Sequence, residues 1–376
     1  MPKHALLSAS AAKRWTECTP SARLNEGIEE RASPYAAEGS DAHSVCQYLT
    51  EDEFGIPTED PRESLTYYNQ EMQECAEIYL NYIKEIMAEV KTQCDDPEIF
   101  VEQRVDFSRW VPEGFGTADC IILADGTLHV IDFKYGAGVL VSAEENTQMK
   151  CYALGTLDMF GDLYDVDFIT MHIIQPRKDN ISSWTVSVTD LLSWADEFLA
   201  PRAALAYEGA GDFVAGSHCQ FCKVKATCRK RAEANLELAK HEFDLPSTLD
   251  DTEIAVVLSK IDDLVSWAND VKEYALSQAL AGKKYDGFKI VEGRSTRKYT
   301  NEDLVAEAVT SAGYDPFEKK LLGITAMTSL LGKKKFEEIL GSLTCKPQGK
   351  PTLVPNSDKR PEMNSAAEDF KDNQEE

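Results

Sequence analysis

The chain has 376 residues, 43% of them hydrophobic and 28% charged, with a formal net charge of −26. That is enough chain for a full-sized core and a second domain, and no apolar run approaches the ~20 residues of a membrane-spanning helix. Bulk negative charge argues against a protein that coats nucleic acid nonspecifically, because it repels phosphate; it is compatible with a local basic groove beside acidic metal ligands.

The opening MPKHALLSASAAKRW has a short apolar stretch that runs straight into Lys13 and Arg14. It does not read as a signal peptide, so a reducing, cytoplasmic setting is expected. The ten cysteines are then not a disulfide framework, and clustered ones read as metal ligands.

In chain order, residues 1–50 are expected to be helical, opening on Ser8 and Ser10 as caps. Residues 60–94 read as a long acidic helix with Ile78, Leu80, Ile83 and Met87 on its apolar positions. Residues 99–107, 115–124 and 127–134 are short, β-rich and alternating, and predict three strands. Residues 142–160 return to helical spacing behind Ser142-x-x-Glu145, a capping box. Strands are expected at 166–175 and 183–188, a helix at 189–208, and a compact cysteine cluster at 219–228. Residues 246–345 read as a mostly helical accessory region with a β excursion near 286–299, and 346–376 as a flexible tail. There is no phosphate-binding loop of the G-x-x-x-x-G-K-[ST] type, hence no sign of an ATP-driven motor.

The stretch GTADCIILADGTLHVIDFKYG, residues 116–136, is the most informative. Asp125-Gly126 signals a two-residue type I′ hairpin. Counting from that turn sets Leu123 opposite Leu128, Ile121 opposite Val130 and Asp119 opposite Asp132, with Thr117 facing Lys134. Alternation then places both carboxylates on one face, about 5 Å apart. Two such charges need a cation between them or a shared proton. Mg²⁺ or Mn²⁺ suits those hard oxygens, and Lys134 is placed to orient or help deprotonate a water. Glu102 in the preceding strand VEQRV is a candidate further acidic contributor, but is read as structural. The rival reading of the hairpin is a pair of solvent-facing charges at an ordinary strand end.

These residues resemble a known family. Gly116-Thr-Ala-Asp119, Asp132-Phe-Lys134 and Gln148-x-x-x-Tyr152, with Gly39-x-x-x-His43 upstream, look like the successive motifs of RecB-like PD-(D/E)XK nucleases. The resemblance implies an α/β restriction-endonuclease-like core over 1–240, a central mixed sheet flanked by helices. It implies His43, Asp119, Asp132 and the Phe133 carbonyl as metal ligands and Lys134 as the catalytic lysine. Gln148 and Tyr152, one helical turn apart, would support the site and contact DNA. An imidazole in the shell favours Mn²⁺ over Mg²⁺.

Cys219-x-x-Cys222-x5-Cys228 is a thiolate cluster that needs a fourth ligand. Cys18 is the best candidate, and His218 could substitute for a thiolate. Ser8-x-Ser10-x-x-x-Arg14-Trp15-x-x-Cys18 resembles the N-terminal element of AddB-type and CRISPR-associated RecB-like exonucleases, in which one N-terminal and three C-terminal cysteines hold a [4Fe-4S] cluster. A Cys₄ zinc site has the same topology. Cys46, Cys75, Cys94, Cys120, Cys151 and Cys345 are scattered, buried or free. Lys223, Lys225, Arg229, Lys230 and Arg231 follow as the densest basic stretch, either a DNA-phosphate contact or a helix end whose cations offset its dipole.

The expectation is therefore a metal-dependent deoxyribonuclease, an exonuclease rather than an endonuclease by family analogy. The whole chain also resembles an uncharacterised family common in phages and prophages that ends in segments like Gly349-Lys-Pro-Thr-Leu-Val-Pro355, which implies DNA, and phage replication or recombination proteins, as partners. The rival functions are a non-catalytic DNA-binding module of the same fold and a zinc-stabilised adaptor.

Overall fold

A computed structural model describes residues 5–28, 34–161, 164–239, 251–291, 300–317 and 322–344. Its centre is a five-stranded mixed sheet in sequence order: β1 (Glu98–Asp106), β2 (Phe115–Ala124), β3 (Gly126–Phe133), β4 (Val166–Gln175) and β5 (Asn180–Ser187). All neighbours are antiparallel except β3 and β4, which are parallel. A parallel pair needs a crossover, and α5 (Thr147–Phe160) supplies it. The fold is α/β with a helical C-terminal region.

Alternation along the strands feeds two cores. Ile121, Leu123, Leu128, Val130, Ile169, Met171 and Ile173 face one of them. There they meet α5, the N-terminal helix α1 (Ala12–Glu17), α6 (Val188–Trp194) and α7 (Ala200–Glu208). Cys120, Ile122, Ala124, Ile131, Phe133 and Ile174 face the other, under α3 (Pro34–Glu53) and α4 (Gln70–Val90). Each fully buried aliphatic chain in these layers contributes about 1.5–3 kcal/mol.

Several elements differ from the sequence expectation. The second long helix starts at Gln70, because Asn69 accepts from the Met72 amide and caps it there. Ile78 lies on its exposed side. The capping box at Ser142 does not form. Asn146 caps α5 instead, accepting from the amides of Gln148 and Met149, a cap worth about 1 kcal/mol. Ser8 caps through no side-chain bond; its carbonyl accepts from the Trp15 indole. Of the two turn residues after β2, only Gly126 has positive φ, at 84°, so the turn is not type I′. The two-residue register survives, with Ala124 opposite Thr127.

The chain divides into two units, Met1–Ala281 and Gly282–Glu376. The division falls after α9 (Asp251–Leu280) rather than near residue 240. Asp270 of α9 pairs with Lys225 and Arg231, at 2.8 and 2.5 Å, which ties that helix to the cysteine segment. The second unit holds the helices α10 (Glu302–Ser311), α11 (Ile324–Leu331) and α12 (Lys333–Leu340). Residues 286–291 form no strand; the rest of the expected β excursion, Cys345 and the tail lie outside the described residues. No described helix is long and apolar enough to cross a membrane.

Candidate metal-dependent active site

The β2–β3 ladder ends at Cys120–Ile131, one pair short of the carboxylates. The reason lies in β1. Its ladder with β2 skips the Glu102–Asp119 pair, and Glu102 has a left-handed φ of 48°. The faces of both strands slip there. Phe100 and Val105 are an odd number apart yet share a core, as do Ala118 and Ile121. Asp119 therefore does not oppose Asp132 on one face, as simple counting requires. Its Oδ2 instead accepts the Phe133 amide at 2.7 Å, standing in for a ladder carbonyl, and lies 3.4 Å from His43 Nδ1 of α3. The His43 ring meets Phe133 edge-on at 5.5 Å.

Asp132 stays on the α5 side and is only 2% exposed. Lys134 Nζ lies 2.8 Å from its Oδ2 and donates to its Oδ1 at 3.2 Å. Gln148 reads both groups, its amide NH₂ donating to Asp132 Oδ1 and its oxygen accepting from Lys134, each at 3.2 Å. The same NH₂ approaches the Tyr152 hydroxyl at 3.0 Å. Asp132 Oδ2 is buried and no donor is well aimed at it, although it sits within ion-pair reach of Lys134. The structure thus brings together Asp119, Asp132, Lys134, Gln148, Tyr152 and His43. Phe133 lines a cavity with His43, Asp119 and Lys134.

The carboxylates divide the charge unequally. Burial alone would raise both. For Asp119 that effect is outweighed by His43, Lys134 and the Phe133 amide, which hold it below the usual range. Asp132 is pushed up to about 6 by burial and by Asp119, against Lys134. Burial opposes the charges on His43 and Lys134, yet Asp119 lifts His43 to about 9, and Asp132 with Asp119 raises Lys134. Glu102 rises to about 7, through burial first and Asp119 second.

Glu102, read from sequence as structural, lines a cavity of roughly 540 Å³ together with His43, Asp119, Phe133 and Lys134. Among the described residues, His43, Glu102 and Asp119 are the set whose ligand atoms all lie within 4.8 Å of one another. Asp132 is outside that set, held by Lys134 and Gln148. No motif marks Glu102; the available signal was its register opposite Asp119.

The cysteine segment meets the N-terminus. Cys18, Cys219 and Cys222 are buried, and Cys228 is half-buried. The Asn25 side chain donates to Cys222 Sγ at 3.3 Å and accepts from the Lys223 amide at 2.6 Å. His218 is a hydrogen-bond neighbour of Cys18 and bonds the Val214 carbonyl at 2.9 Å, so it flanks the thiols. Among the described residues these cysteines are not a set within 4.8 Å. Four thiolates about 2.3 Å from one zinc would stand roughly 3.8 Å apart.

The basic stretch is largely spent inside the fold. Lys225 and Arg231 pair with Asp270, and Lys223 Nζ donates to the Ile28 carbonyl. Arg229 and Lys230 are exposed. They open α8 (Arg229–Ala239), the positive end of a helix, so they do not offset its dipole as a cation at a C-terminus would.

A family model for "Protein of unknown function (DUF2800)" matches residues 4–361. The chain belongs to the DUF2800 family. A solved structure titled "Crystal structure of SSO0001" is 13% identical to this DUF2800 chain, covering 58% of it and 96% of its own length, with a TM-score of 0.25.

Proposed function

We propose that this chain is a metal-dependent deoxyribonuclease that hydrolyses phosphodiester bonds, acting as an exonuclease. The observation that carries the reading is the convergence of two carboxylates, an imidazole and an ammonium where β2 and β3 part. Asp132 is buried and Asp119 half-buried, and Asp132 Oδ2 lacks a well-aimed donor although Lys134 stands beside it. Such a donor set fits a divalent cation, with His43 and Asp119 as ligands and Asp132 beside them. A cation there would polarise a phosphoryl oxygen and offset charge on the leaving oxygen.

The chain's own groups supply the rest. Lys134 keeps its proton while Asp132 and Asp119 stay charged, so it serves as a donor toward a phosphate oxygen; carboxylates neutralised by a ligand would release that hold. Gln148 fixes the Lys134–Asp132 geometry from α5, and Tyr152 anchors Gln148. The resemblance to RecB-like nucleases supports the substrate class and exonuclease action. The resemblance in the one-plus-three cysteine layout supports a [4Fe-4S] cluster on Cys18, Cys219, Cys222 and Cys228 as a structural staple, and Asn25 clasping Cys222 and Lys223 brings the N-terminal element to the cysteine segment. Phage DNA replication or recombination is the setting this reading fits.

The test compares cleavage of linear and closed circular DNA by the native chain and by Asp132→Ala with Mn²⁺. We expect the native chain to degrade linear DNA and spare closed circles, and Asp132→Ala to lose at least 100-fold in rate. Equal activity in both proteins, or none in either, would overturn the nuclease reading.

A further inference from the structure

The carboxylate of Glu102 has no assigned use in the site above, yet its placement is costly. A non-glycine residue at φ 48° in the middle of a strand is uncommon. Such strain persists only where the surroundings over-determine it, and it clusters at ligand sites. A solvating glutamate would gain nothing from it. Here the strained backbone slips the faces of β1 and β2 together and sets Glu102 beside Asp119 and His43, with ligand atoms within 4.8 Å. No hydrogen bond or ion pair reaches the Glu102 carboxylate from the described residues. Asp132 is already engaged by Lys134 and Gln148, whereas Glu102 lines the cavity together with His43 and Asp119.

We infer that Glu102 is a direct ligand of the divalent cation, which the chain holds through His43, Glu102 and Asp119 while Asp132 orients Lys134. The inference rests on the metal-dependent reading of this site and refines it. It moves the cation toward β1 and frees Asp132 to act on the lysine. Two carboxylates and one imidazole form a hard, mixed oxygen and nitrogen set of the kind that takes Mn²⁺ more readily than Mg²⁺.

The experiment is Mn²⁺ titration of the full chain, read from the electron paramagnetic resonance signal of free Mn²⁺. The native protein is compared with Glu102→Gln, Glu102→Asp and Glu102→Gly. Glycine is comfortable at positive φ, so the last variant removes the carboxylate while easing the backbone, and its thermal midpoint should equal or exceed the native one. We expect Glu102→Gln and Glu102→Gly to weaken Mn²⁺ binding at least tenfold, and Glu102→Asp to bind between these and the native chain. Cleavage by the Gln and Gly variants should recover as Mn²⁺ is raised. Native-like Mn²⁺ affinity in both variants would overturn the ligand role. So would lost cleavage with intact affinity, which would place Glu102 on water or substrate. Those results leave the nuclease reading standing, whereas a native chain that binds no Mn²⁺ removes both.

Discussion

Gly116 is the first residue of the G-x-x-D motif, and the structure gives a steric reason for it. A Cβ at this position would stand 2.7 Å from the Tyr152 ring and 3.4 Å from Ala9. Tyr152 in turn holds Gln148, and Gln148 bridges Asp132 and Lys134. The motif glycine therefore makes room for the residue that aligns the lysine, although its own backbone is unremarkable. Gly116→Ala must push the ring aside, and a misplacement of about 1 Å at a catalytic group can cost on the order of 100-fold in rate. We expect kcat for DNA cleavage to fall 10- to 100-fold with a thermal midpoint only a few degrees lower. A variant with native kcat would show that the Tyr152–Gln148 pair does not align Lys134.

At the scale of elements, strand positions were legible because period-2 alternation and the Asp-Gly turn both act locally. The register through Cys120–Ile131 followed from that turn even though its type did not. The slip at Glu102 was not legible, since nothing in VEQRV announces a left-handed glutamate; it comes from β1 and β2 meeting around Asp119. The start of α4 was missed because Asn69 is one of several cap-competent residues ahead of it. A second packing feature invisible in sequence joins β3, β4 and α4. His129 Nδ1 lies 3.0 Å from His172 Nε2, and His172 Nδ1 lies 3.1 Å from the Tyr82 hydroxyl. Burial lowers His129 to about 4 and His172 to about 3. Both are neutral in the fold but protonate near 6.5 when unfolded, so their stabilisation is present above pH 6.5 and lost as the pH falls below it. The candidate site acts in the opposite sense. His43, at about 9, stabilises fully below 6.5 and loses that as the pH rises through 9. Glu102, at about 7, and Asp132, at about 6, bind their protons more tightly in the fold and likewise favour lower pH. Below pH 6.5 these carboxylates offset the histidine pair, so without added metal the thermal midpoint should change little between pH 5 and pH 6.5 and fall as the pH rises to 9. His172→Leu should raise the midpoint at pH 5 relative to that at pH 6.5, and saturating Mn²⁺ should lift the alkaline limb. A midpoint that climbs steadily from pH 5 to pH 9 would refute this assignment of the limbs.

At the scale of the whole molecule, the first unit is closed by contacts between chain segments about 200 residues apart. The Thr19 hydroxyl donates to the Ala210 carbonyl, the Arg202 guanidinium donates to the Thr16 carbonyl, and Asn25 clasps Cys222 and Lys223. Sequence reasoning paired Cys18 with the distant cysteines by resemblance alone; these bonds are an independent physical reason for the pairing. Arg14 lies close to both cysteines: burial lowers its pKa, and the neighbouring Cys222 and Cys18 oppose that shift. A metal group shared by these cysteines would close a long loop and remove chain entropy from the unfolded state. Cys18→Ala should then lose most of the iron from anaerobically purified protein, together with its visible absorbance, and lower the thermal midpoint by several degrees. The carboxylate site has no residue in common with the cysteine cluster. Mn²⁺ affinity in the folded fraction of that variant should therefore stay within about threefold of native, because independent sites contribute additively. Full metal content in Cys18→Ala would remove Cys18 from the ligand set and leave the hydrogen bonds alone to hold the two ends together.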